Sequence, residues 1–209
     1  MAVLVTAELL IVFAGVLVYI WRLQFTFPNF AILLLIFIVA SFLAHRDSFS
    51  KLGFGSRGIV SGLKMLAMPT ALIAAALLLI GVEEGMLAAW SFSWEKLTSL
   101  GRYFAWCLFQ QFGLESFFTN RLAEVFKKPK RAEWASAAIF AAFHIPNPVL
   151  MPITLLGGVC LASVFLKTRN LVPVAIAQAV VGSLLGMTLP PVWHHGLRVG
   201  PGYYNYKSS

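Results

Sequence analysis

The densest set of chemically capable residues in this chain of 209 lies in one short stretch: Gln110, Gln111, Glu115, Ser116, Thr119, Asn120 and Arg121. On a helix, Gln111, Glu115 and Thr119 share a face at i, i+4 and i+8, and Asn120 and Arg121 turn away from it. A carboxylate with an amide one turn away can hold a water or a metal. The same groups can equally make interhelical hydrogen bonds, with Glu115 paired to Arg121 or to another segment. His144 ends the run Phe140-Ala141-Ala142-Phe143-His144. A histidine there is either a ligand or a cap at a helix C-terminus. Asn147 follows between two prolines, where turn formation is its plainest role. Gln178 is the one strongly polar side chain in the middle of the apolar run 175–183, and a neutral amide in that setting commonly bonds across helices.

Glu115, His144 and Gln178 thus fall on three successive polar-bearing segments. One carboxylate and one imidazole at similar depth are a minimal start for a zinc–water site, with Glu115 as general base and His144 as ligand. Catalytic zinc ordinarily takes three protein ligands, and this set stops short of that.

The segments that must position these groups are membrane spans. Hydrophobic residues make up 59% of the chain and charged residues only 11%, where a soluble domain carries about 25% charged. The apolar residues come in long blocks, and about 20 of them suffice for a helix to cross the hydrocarbon. Lipid offers the backbone no partners, so helices or closed barrels are required; the blocks lack strand alternation, which leaves helices. Seven blocks are expected: 2–21, with Glu8 facing the bundle interior, 30–44, 59–82 with a kink at Pro69, 103–126, a short one at 132–144, 149–166 and 171–189. The tail from Pro190 reads as non-helical. The fold class expected is an all-α, polytopic transmembrane bundle in one domain: N-terminal spans over 1–99, a polar-bearing core over 100–190 and an extramembrane tail over 191–209. Gly182 and Gly186 form a small-residue packing face. Cys107 and Cys160 lie within apolar blocks and read as small hydrophobes. The first block, which lacks a basic leader and a small-residue cleavage site, reads as a retained span.

The net charge of +8 is carried in short loops, which points to topology and lipid head groups and away from nucleic acid. Alternate loops collect Arg46, Lys51, Arg57, Lys64, Lys127, Lys128, Lys130, Arg131, Lys167 and Arg169 on one side. The other side holds Arg22, Lys96, Arg102, Arg198 and Lys207. The bias places the first side, with the N-terminus, in the cytoplasm.

At the chemically capable residues the sequence resembles the CPBP (Abi) family of intramembrane proteases, which includes the type II CAAX prenyl proteases and bacteriocin-immunity proteins. Its three motifs are Glu-Glu-x-x-x-Arg, Phe-x-x-x-His and His-x-x-x-Asn. Glu115 matches the first glutamate, Ser116 stands at the second, and Asn120 stands at the arginine, with Arg121 one place late. Phe140 to His144 match the second motif, and Asn147 fits its usual turn. Gln178 stands at the third-motif histidine and Gly182 at its last position. The spacings of 29 residues from Glu115 to His144 and 34 from His144 to Gln178 suit the family. The resemblance covers about residues 100 to 190. It implies a bacterial cytoplasmic-membrane endopeptidase cleaving a membrane-anchored or prenylated peptide, with Glu115 activating water. His144 would bind metal or stabilise the oxyanion, and the amides of Gln178 and Gln111 would add donors; Asn147 belongs to the same implied site. It implies either zinc or no cofactor. Glutamine is a poor replacement for a histidine ligand, so His194 and His195 in the tail are candidate replacement ligands beside Glu115 and His144; a Gly/Pro/aromatic tail otherwise reads as an interfacial anchor. Two other functions compete: a non-catalytic scaffold or immunity-type protein binding a partner in the same cavity, and a small transporter using Glu115 and His144 as a proton relay.

Overall fold

The computed structural model describes residues 2–88 and 93–207. Part of the expected polar stretch between the third and fourth blocks, and the last two residues of the tail, lie outside the described residues. Helix α1 runs Ala2–Thr26, with a π-helical turn at Tyr19–Leu23. Then come α2, Phe30–Ala44, and α3, Ile59–Glu83. Helix α4 is continuous over 94–126, α5 is Pro129–Ala142, α6 is Leu150–Thr168 and α7 is Leu171–Thr188. Helices α1, α3, α6 and α7 are long and apolar enough to cross a membrane, and α2 is a shorter apolar helix. They turn large apolar side chains such as Leu10, Ile36, Met68, Leu79 and Leu156 outward, the belt that lipid covers in an integral membrane protein.

Helix starts follow from local chemistry. Ser93 accepts the Lys96 N–H at the start of α4, Pro129 stands at the first position of α5, and Asn170 accepts the Val172 N–H before α7; each settles or dispenses with an amide that a helix start leaves unpaired. Small residues permit the closest crossings. Gly158 of α6 lies against Ala137 of α5, and Gly62 of α3 lies against Pro173 of α7. Gly182 of α7 admits Tyr103 of α4 so closely that a Cβ there would sit 2.0 Å from its hydroxyl. Gly186 meets Leu197 of the tail. Cys107 and Cys160 are unpaired thiols, and Cys107 packs with Ala175 and Ala179 as a small hydrophobe.

Two expectations need correction. Helix α4 begins at Trp94, nine residues before the apolar block that marks it, because Glu95, Lys96 and Arg102 occupy its first turns without breaking it. The tail is partly helical and folded onto the bundle: Pro191–His194 (α8), a 3₁₀ turn at His195–Leu197 and Pro201–Tyr204 (α9). Gly200 N–H donates to Ile145 O at 2.9 Å, and Leu197 and Val199 pack on the cluster of Leu77, Leu150, Leu185 and Leu189. Tertiary packing, not periodicity, makes these turns.

Candidate functional site

Helix α4 carries the acidic centre, and its backbone there is unusual. Residues Phe112–Thr119 form a π-helical segment. Such segments are rare, usually one turn long, and frequent at functional sites. Glu115 sits in its middle and is fully buried. Neither carboxylate oxygen has a hydrogen-bond donor among the described residues. The Thr119 hydroxyl lies near the carboxylate but outside hydrogen-bond geometry; it pairs with Ser136 Oγ of α5 at 2.7 Å. The cation whose field reaches Glu115 is Arg169. One turn before Glu115, Gln111 is also fully buried, and its Oε1 likewise finds no donor. Three buried acceptor oxygens one turn apart on α4 therefore find no donor among the described residues. A buried acceptor without a donor is costly, so these oxygens favour a water or polar group that can donate to them.

The two glutamines are tied across the α4–α7 crossing. Gln111 Nε2 donates to Gln178 Oε1 at 2.8 Å, and Gln178 Nε2 donates to Gln110 Oε1 at 2.7 Å. Each of these amide groups has two N–H bonds, so each retains a second donor.

His144 lies in the turn that follows α5. Helices α4 and α5 form an antiparallel hairpin through the turn at Lys127–Lys128, and the Thr119–Ser136 hydrogen bond fixes their register. Stepping back one turn to Glu115 corresponds to stepping forward one turn to Phe140, and His144 lies one turn further on the same face. His144 Nδ1 lies 2.7 Å from Phe140 O. A carbonyl can only accept, so Nδ1 carries the proton and Nε2 holds the lone pair in the neutral ring. Neutral His144 is thus a base or a ligand through Nε2, and it donates to an oxyanion only as imidazolium. Its ring stands edge-on to Phe140 at 4.9 Å.

The remaining residues singled out from the sequence lie together elsewhere. Asn147 is fully buried and committed on every side: Nδ2 donates to His194 O at 2.8 Å and Arg198 O at 3.0 Å, and Oδ1 accepts from the Val149 and Leu150 N–H groups. It caps α6 and fastens the tail. Both ring nitrogens of His194 are engaged, Nδ1 accepting from Leu197 N–H and Nε2 donating to Leu189 O. His195 donates from Nδ1 to Tyr203 O and stacks on the Tyr203 ring at 4.0 Å. Among the described residues no three His, Cys, Asp or Glu side chains come together as a metal cage. Glu115 and His144 alone leave a zinc ion one protein ligand short, so the residues present do not fit a protein-held zinc.

The pairing of Glu115 with Arg121 weighed from the sequence does not form. Arg121, fully buried, points to the opposite side of α4. Its Nη2 donates to Asp47 Oδ2 at 2.7 Å and to Ser41 Oγ at 3.1 Å, its Nη1 donates to Glu124 Oε1 at 3.2 Å, and its Nε lies 3.6 Å from Glu8 Oε2. Ser41 Oγ and His45 Nε2 complete the shell of Glu8, at 2.9 and 3.1 Å. Glu8 does face the interior, as expected, and Lys51 bridges Asp47 and Glu124. Burial pushes the Asp47 carboxyl up, but hydrogen bonds from Arg121 and Lys51 outweigh that and hold it below the usual carboxylate range. This network clamps α1, α2 and the 45–58 loop to the end of the π segment. In the sequence Glu8 and Arg121 stand far apart, in different apolar blocks. The signal that joins them is that two opposite charges in apolar helices each require a partner.

A family model described as type II CAAX prenyl endopeptidase Rce1-like matches residues 66–184. No curated protein and no solved structure matches the chain. The matched residues include Glu115, His144, Asn147 and Gln178, and leave out His194 and His195.

Proposed function

The chain belongs to the Rce1-like type II CAAX prenyl endopeptidase family, of the membrane endopeptidase kind, and we propose that it hydrolyses a membrane-anchored, prenylated peptide with Glu115 as general base. The observation that carries this reading is the fully buried Glu115 carboxylate, unpartnered in the middle of a π-helical segment. Ion pairing would quench such a group; Arg121 is spent on Glu8, Asp47 and Glu124, and Arg169 reaches Glu115 only through its field, with no ion pair among the described residues.

The chemistry follows from the donors and acceptors present. Glu115 takes a proton from a water, and the resulting hydroxide attacks the scissile carbonyl carbon. The developing oxyanion is met by the spare N–H of Gln111 or Gln178, or by His144 as imidazolium, donors of the kind that stabilise such charge. The proton on Glu115 then passes to the leaving nitrogen as the C–N bond breaks. The bilayer supplies the other half of the binding: a prenyl chain dissolves in lipid beside the exposed apolar helix faces and delivers the peptide laterally. The basic end of the bundle would face the cytoplasm of a bacterial cell, with the N-terminus on that side.

A second reading has its own observation. Gln178, at the position of the motif histidine, has its amide bonded at both ends to α4, which suits a member that binds a peptide without cutting it. The test is cleavage of a fluorescent prenylated peptide by the purified protein in detergent. Hydrolysis by the native chain, lost in Glu115→Gln and in His144→Ala, is the expected result. Binding without hydrolysis by the native chain would favour the second reading.

A further inference from the structure

The first span closes on the π turn Tyr19–Leu23, and the folded tail returns to that turn. Gly200, at φ +55°, lies so near Ile20 that a Cβ would stand 2.9 Å from its side chain and 3.0 Å from its carbonyl oxygen. The same carbonyl accepts Gln24 Nε2. On its other side Gly200 N–H donates to Ile145 O at 2.9 Å. Between the end of α1 and α9 this docking leaves an open cavity of about 510 Å³, lined by Trp21, Arg22, Phe25, Thr26, Pro201 and Asn205. Sites for small ligands commonly measure about 300–1,000 Å³. Glu8, in the Arg121 network, and Arg22 lie toward opposite ends of α1, so the cavity sits at the far end of the bundle from that network.

Arg22 is the one cation in the lining among the described residues, and no carboxylate lines it. Arg22 takes part in no ion pair among the described residues. Its depth matters. The 25 residues of α1 extend about 37 Å at about 1.5 Å per residue, against a hydrocarbon layer about 30 Å thick. The last turn, with Arg22, therefore reaches the head groups. The exposed rings of Trp21 and Tyr204 beside the cavity suit that level, where Trp and Tyr form an interfacial belt. Toward the hydrocarbon, the exposed Ile11 and Val18 on α1 offer an apolar track for acyl chains.

We propose that this cavity binds the head group of an anionic phospholipid of the phosphatidylglycerol type, with its phosphodiester on Arg22. Guanidinium groups hold phosphate with charge-assisted, often bidentate hydrogen bonds. The glycerol hydroxyls meet the Thr26 hydroxyl and the Asn205 amide, which can both donate and accept. A choline or ethanolamine head group brings a cation that finds no carboxylate in this lining. The site lies apart from Glu115 and does not depend on the endopeptidase reading. It has a structural consequence: a lipid seated between α1 and α9 ties the tail to the first span.

The experiment uses the full chain in non-ionic detergent, with dioleoyl phosphatidylglycerol or dioleoyl phosphatidylcholine added and binding read by native mass spectrometry. Phosphatidylglycerol should bind at least about fivefold more tightly, since one arginine beside an anionic head group contributes about that factor. Arg22→Gln should abolish the preference, whereas Arg57→Gln, at the other end of the bundle, should keep it. Phosphatidylglycerol should also slow proteolysis of the tail beyond Pro190 in the native chain and not in Arg22→Gln. Equal binding of the two lipids by the native chain overturns the proposal, as does a preference that Arg22→Gln keeps or that Arg57→Gln loses as completely. Displacement of the lipid by an equal concentration of glycerol phosphate, which has no acyl chains, identifies a soluble-anion site and overturns it too. Asn205→Ala should weaken phosphatidylglycerol more than phosphatidylcholine, and decides the matter if Arg22→Gln does not fold.

Discussion

Replacing Arg121 with Gln should be among the most destabilising single changes in this protein. The guanidinium is fully buried and faces three carboxylates, those of Glu8, Asp47 and Glu124, with hydrogen bonds to two of them and to Ser41. Two of those carboxylates are themselves nearly inaccessible, the Asp47 side chain at 1% and the Glu8 side chain at 10%. Removing one partner of a buried ion pair costs about 3–5 kcal/mol, because the charge left behind has lost both water and counter-ion. Lys51 remains on Asp47 and Glu124, which points to the lower half of that range. For a chain of this size 1 kcal/mol corresponds to about 2–4 °C in Tm, so a drop of about 6–15 °C is expected in a detergent unfolding assay. The double variant Arg121→Gln with Asp47→Asn should lose less than the sum of the two singles, since Asp47→Asn removes one stranded charge. A shift below about 2 °C for Arg121→Gln, or strict additivity in the double variant, would refute the network as the clamp that joins α1, α2 and α4.

Two further predictions follow from the same geometry. The Asp47 carboxyl is held below its usual range, so it contributes stability that is present above the pKa of the unfolded chain and is lost as pH falls through the lower folded value. Tm should therefore be level between about pH 5 and 7 and fall below about pH 4, and Asp47→Asn should flatten that acid limb; an unchanged limb would place the acid sensitivity elsewhere. Asn147→Ala should release the tail, because one side chain supplies hydrogen bonds to His194 O, Arg198 O and the first amides of α6. Limited proteolysis should then cut between Pro190 and Tyr206 much sooner than in the native chain, and equal protection would contradict the fastening role.

The spans were the most legible part of this protein. Phe30–Ala44 and the start of α3 at Ile59 can be read directly, because lipid requires unbroken apolar runs that leave little freedom in their boundaries. The beginning of α4 could not be read that way, since Glu95, Lys96 and Arg102 conceal a helix inside a polar stretch. Glu115, Gln111 and Gln178 stood out as polar groups at membrane depth, but their mutual arrangement did not. The π segment has no propensity signature, and the Gln110–Gln178–Gln111 chain depends on how α4 crosses α7. Arg121 read as a motif residue one place out of register and is the hub of a separate network. The tail histidines read as candidate ligands, and both ring nitrogens of His194 and Nδ1 of His195 make backbone contacts that fold the tail back. Gly- and Pro-rich sequence carries no periodicity from which that folding could be foreseen.

The most direct test of the central claim is a single-turnover comparison of native protein and Glu115→Gln on a prenylated peptide, with product identified by mass spectrometry. General-base catalysis contributes about 10²–10⁴-fold, so Glu115→Gln should lose at least about a hundredfold in rate. It should unfold at a temperature close to that of the native chain, because a near-isosteric amide replaces a buried carboxyl that has no partner among the described residues. A Glu115→Gln protein that is folded and cleaves at the native rate would contradict the account.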